Sequence, residues 1–63
     1  MRPRVGMRLR DDLLTRTVQW VSPTRVQVKS EWTLSDGRAA SHTWLMPMRR
    51  WNEWVEEKKP QPA

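Results

Sequence analysis

The chain has 63 residues, 12 of them basic and 7 acidic, a formal net charge of +5, five Trp and no Cys, Phe or Tyr. The length fits one small domain of marginal burial, and the lack of Cys excludes disulfides and thiolate metal sites. No apolar run is long enough to span a membrane, and Arg2 and Arg4 precede no apolar stretch of the signal-peptide kind, so a cytoplasmic location is the default expectation.

Residues 1–4 read as a flexible basic arm. Val5, Met7 and Leu9 then alternate with Gly6, Arg8 and Arg10, the period of a first strand with one wet face. Asp11 and Asp12 mark a turn. Residues 14–21 (LTRTVQWV) are rich in β-branched side chains, and alternation places Leu14, Val18 and Trp20 on one face with Arg16 as the exception. Ser22-Pro23-Thr24 is a turn signal.

Residues 25–34 (RVQVKSEWTL) carry the clearest pattern. Val26, Val28, Ser30, Trp32 and Leu34 alternate with Arg25, Gln27, Lys29, Glu31 and Thr33, which gives a strand with one buried and one polar face. Trp20 and Trp32 are thereby assigned to the core. Asp36-Gly37 between strand-like runs is a hairpin signal, because Gly accepts the positive φ of such turns. In the return strand, residues 39–46 (AASHTWLM), Trp44 and Leu45 are adjacent and the inner face stays open.

Pro47 suits the start of a helix, and Met48, Trp51, Trp54 and Val55 recur at spacings of three and four. Residues 47–57 therefore read as a short amphipathic helix. Arg49 and Arg50 near its positive end and Glu56 and Glu57 near its negative end oppose the helix dipole, so it must dock to persist. Residues 58–63 read as a polar disordered tail, leaving 5–57 as the single domain.

The residues T-V-Q-W-V, the turn S-P-T, R-V-Q-V, the hairpin S-D-G-R and the closing P-M-R-R-W give residues 14–54 a pattern that resembles small SH3-like barrels of the Tudor and KOW type. The chain departs from that pattern where Arg16 or Thr17 stands in the region of the KOW glycine, and it has no Tyr or Phe for an aromatic cage. The resemblance implies a mainly β fold, a small four- to five-stranded antiparallel SH3-like barrel or curled sheet with a short C-terminal helix. It also implies a binding module for RNA, DNA or protein segments.

No cofactor, metal or catalytic set is expected. His42 is a single histidine whose neighbours Ser41 and Thr43 point to the opposite face, and the two glycines cannot form a phosphate-cradling loop. The first functional expectation is a non-enzymatic nucleic-acid-binding module using Arg2, Arg4, Arg8, Arg10, Arg25, Lys29 and Arg38, because Arg and Lys supply phosphate contacts. Residues 1–38 hold eight basic and four acidic groups, whereas 39–63 hold four and three, so the positive field belongs to the arm and first strands. The alternative is a small accessory or inhibitor protein, of the phage or mobile-element type, that docks on a larger host protein. Trp44, Arg49, Arg50 and Trp54 are its anchors, with Trp44 and Trp54 expected to be exposed and Arg49 otherwise pairing with Glu53. Self-association through an edge strand or an exposed Trp is a third expectation.

Overall fold

The computed structural model of the protein describes residues 2–63, so Met1 of the expected arm lies outside the described residues. The chain forms five strands, β1 (Arg8–Arg10), β2 (Thr15–Val21), β3 (Arg25–Thr33), β4 (Ala39–Pro47) and β5 (Gln61–Pro62), with one helix, α1 (Met48–Lys58), between β4 and β5 in sequence. All pairings are antiparallel, in a single open sheet of order β4-β3-β2-β1-β5. The protein is thus mainly β with a short C-terminal helix. No helix among the described residues is long and apolar enough to cross a membrane.

The connections follow from turn chemistry. Between β2 and β3, Ser22 N–H donates to the Arg25 carbonyl at 2.8 Å and Ser22 Oγ accepts from Arg25 N–H at 3.0 Å. Between β3 and β4, Gly37 takes φ +88° and donates to the Leu34 carbonyl at 2.9 Å, the positive-φ role that Asp36-Gly37 foretells. Between β1 and β2, Asp11 Oδ1 accepts from the N–H groups of Leu13 and Leu14 at 2.7 and 2.9 Å, so one side chain fixes the loop.

The helix lies on one face of the sheet. Leu9, Val18, Val26, Val28, Met46, Trp51 and Trp54 form the buried cluster, with Trp44, Met48 and Val55 packed against it. Pairing Val28 with Trp44 and Val26 with Met46 settles the inner face of β4 on the side of Ala40, His42, Trp44 and Met46. In α1, Trp51 and Trp54 lie three residues apart and both turn inward, their ring centroids 5.4 Å apart at a tilt of 58°. The adverse dipole charges are therefore outweighed by docking two indoles.

Several expectations change. Register shifts between Val18 and Trp20, because a β-bulge inserts Gln19, so Trp20 lies opposite Gln27 on the face away from the helix. Trp20 is 49% exposed and is not a core residue, and Trp32, half-buried, also lies outside the buried cluster. Trp54 is only 9% exposed, and Trp44 is half-buried, so neither is a free indole. Residues 58–63 are not a loose tail: Lys58 closes α1, Pro60 is buried, and β5 pairs with β1 through Leu9–Pro62 and Arg10–Gln61. A two-residue edge strand needs few ladder donors, so proline is tolerated there. At the other end Pro3 is buried and the Met7 N–H donates to the Arg4 carbonyl at 3.0 Å, so the basic arm is tied down from Pro3 onward.

The helix ends on Lys59, whose φ of +46° is left-handed and whose N–H donates to the Val55 carbonyl at 3.0 Å. A side chain is strained there and glycine is not. Lys59→Gly is expected to stabilise the fold by about 0.5–1 kcal/mol and to raise the thermal midpoint by a few degrees, as calorimetry would read.

Candidate nucleic-acid interface

The sheet face away from α1 is uncovered, and strand alternation decides what it presents. Burial of Leu9 sends Arg8 and Arg10 to this face, and burial of Val26, Val28 and Ser30 sends Arg25, Gln27, Lys29 and Glu31 there. Register then aligns the residues in rows. One row runs Arg8, Thr17, Lys29, Thr43; the next runs Arg10, Thr15, Glu31, Ser41. A third runs Trp20, Gln27, Leu45, and Gln27 Nε2 donates to Gln19 Oε1 at 3.0 Å beside it.

Four cations therefore share this face with one carboxylate, Glu31. Arg8 and Lys29 are two strands apart, about 10 Å, and Lys29 and Arg25 are four residues apart along one strand, about 13 Å. These separations are near the physiological screening length, so the fields of neighbouring cations add over the surface. Trp20 contributes the one large aromatic surface, next to Leu45, which is 42% exposed. The bulge creates this feature by holding Gln19 and Trp20 on the same side before Val21 turns back toward the helix.

Of the other cations proposed for nucleic acid, Arg4 is exposed at the turn before β1. Arg2 lines an open groove of about 700 Å³ with Pro3, Val21, Ser22, Pro23, Met48 and Asn52. Arg38 sits at the far hairpin with its Nε 2.7 Å from Asp36 Oδ2, an exposed pair that neutralises it locally. No ion pair joins Arg49 to Glu53 among the described residues.

The helix side holds a different arrangement. Arg16 points to the helix face, its guanidinium carbon 4.6 Å from the centroid of the Trp54 ring and its Nε donating to Ser30 Oγ at 3.2 Å. The Trp54 indole N–H donates to Asp11 Oδ2 at 2.8 Å. Burial pushes the Asp11 carboxyl up, but the hydrogen bonds from Trp54, Leu13 and Leu14 and the charge of Arg16 together hold it below its ordinary value. Burial lowers the Arg16 guanidinium; Asp11 opposes that and the nearby Arg50 adds to it. Asp11, Arg16, Ser30 and Trp54 thus form one structural unit.

Trp44, Arg50 and Trp54 do come together, around a cleft of about 160 Å³ also lined by Arg16, Glu53 and Glu57, while Arg49 is not part of it. Among the described residues no three His, Cys, Asp or Glu side chains are placed to hold a metal ion. Comparison with known proteins finds no matching family model, no matching curated protein and no matching solved structure.

Sequence reasoning missed Trp20. Its position within an alternating apolar run assigns it to the core, and no Gly or Pro marks the bulge that reverses it.

Proposed function

We propose that the protein is a non-enzymatic module that binds single-stranded nucleic acid, in a cytoplasmic setting, on the uncovered face of its sheet. The observation that carries this reading is the pairing of four cations, Arg8, Arg10, Arg25 and Lys29, with a half-exposed indole, Trp20, on one face with a single acid. Cations of this kind track phosphates, and an exposed indole offers a stacking surface to any base. Arg2 and Arg4 extend the positive field beyond the sheet. Docking on a host protein through Trp44, Arg49, Arg50 and Trp54 is the weaker reading, because Trp54 has its ring against Arg16 and its N–H on Asp11.

Titration with single-stranded oligonucleotides, followed by indole fluorescence, tests the proposal. Binding should weaken steeply with salt, and each phosphate contact removed by Arg8→Ala or Lys29→Ala should lower the log–log salt slope by about 0.7. Trp20→Ala should cost about 1–3 kcal/mol of affinity at constant salt. Affinity indifferent to salt would refute the reading; affinity indifferent to Trp20 but sensitive to salt would reduce it to phosphate contact alone.

A further inference from the structure

We propose that β4 is a self-association edge through which two copies of the chain join into one continuous sheet. The two edges of the sheet are treated oppositely. The β5 edge is two residues long, is flanked by Pro60 and contains Pro62. Such an edge offers little to an incoming strand. The β4 edge spans nine residues, pairs with β3 alone among the described residues and keeps an unbroken register over its whole length.

That edge also lacks the usual protections. Residues 39–48 carry no charged side chain, the longest such run in a chain in which 19 of 63 residues are charged. No bulge twists β4 away from a partner, and its one proline, Pro47, stands at its last position. Soluble proteins normally blunt a long edge with charge, proline or a bulge, since its outward N–H and C=O groups are a template for pairing. Leaving this edge bare while closing the other points to a partner strand.

A second copy of the chain fits best. Antiparallel pairing of β4 with itself is two-fold symmetric, so one patch satisfies both subunits and the assembly closes as a dimer. Head-to-tail growth is blocked, because the β5 edge is too short to receive β4. The charge layout agrees. With Thr43 at the two-fold axis, the two Lys29 side chains lie one strand in from each edge, and the same register sets Arg38 of one copy, paired with its own Asp36, opposite Met48 of the other, next to Arg49. The two Lys29 positions are three strand spacings apart, about 14 Å, and β4 itself brings no charged side chain to the seam. The dimer would have ten strands and would place its two basic faces side by side, although its formation does not depend on what those faces bind.

Sedimentation equilibrium of the full chain over a wide concentration range tests this. The expected result is a species of twice the 7.6 kDa chain mass that grows with concentration. The double variant Ser41→Glu, Thr43→Glu sets the two carboxylates at position 43 directly across the axis, each beside Lys29 of its own subunit, with those at position 41 beside Glu31, and should weaken the dimer by about tenfold or more. Amide hydrogen exchange on the wild-type chain gives a readout independent of that variant's folding. Alternate amides of β4 should gain protection as concentration rises, and those of β5 should not. A chain that stays monomeric to millimolar concentration overturns the proposal. So does a dimer that the double variant leaves intact with β4 amides unprotected.

Discussion

Trp51→Ala is expected to abolish the cooperative thermal transition of this domain. Trp51 is fully buried and stands at the centre of the layer between α1 and the sheet. Truncating a buried Trp to Ala removes about 3–5 kcal/mol. A domain of this length has in total about 3–9 kcal/mol to lose. The loss is concentrated because only seven apolar residues form the core, two of them the indoles of α1. The indole N–H of Trp51 has no hydrogen-bond partner among the described residues, and an unpaired buried donor costs about 1–3 kcal/mol. Trp51→Phe discards that donor while keeping most of the ring, so it should melt cooperatively and lie much nearer the wild type than the alanine variant. Far-UV circular dichroism during heating reads both. A Trp51→Ala chain that melts like the wild type would mean that the sheet stands without the helix.

The same packing explains which parts of the fold are legible in the sequence. Strict alternation over residues 25–33 identifies β3, and Asp36-Gly37 and Ser22-Pro23 fix the hairpins on either side, because turn chemistry and period-two burial are local properties. The helix is legible for a similar reason, since Pro47 and the spacing of Met48, Trp51 and Trp54 are local too. What escapes is long-range. Trp20 is reversed by a bulge that only the β2–β3 register reveals. Trp54 looks too close to Val55 to be buried on a narrow stripe, yet its N–H is satisfied by Asp11, 43 positions earlier, and its ring by Arg16. Gln61–Pro62 looks like a tail because its composition is polar and proline-rich, and it becomes a strand only because β1 offers a free edge. The basic surface is half legible. Arg25 and Lys29 follow from alternation, whereas their alignment with Arg8 and Arg10, and the exposure of Trp20 beside them, require the sheet.

Asp11→Ala is expected to destabilise the fold by about 2–3 kcal/mol, more than its surface position in a loop suggests. One carboxylate holds the loop between β1 and β2 through the N–H groups of Leu13 and Leu14, and clamps α1 through Trp54. It also faces Arg16, whose guanidinium covers the Trp54 ring. Removing it leaves the indole N–H of a nearly buried residue without its acceptor and leaves Arg16 uncompensated. The same group sets an acid dependence. Its folded carboxyl lies below the ordinary value of 3.8, so it binds its proton less readily folded than unfolded. The stability it contributes is complete above that ordinary value and is lost as pH falls through the lower folded one. Denaturant titrations of the wild type should therefore show stability declining below about pH 4, with Asp11→Asn less stable at neutral pH but flatter across that window. Asn keeps an acceptor for the loop amides, so its deficit should be smaller than that of Ala and should fall mainly on the Trp54 contact. A wild-type acid decline unchanged in Asp11→Asn would place the responsible carboxylate elsewhere and would separate the loop clamp from the pH response.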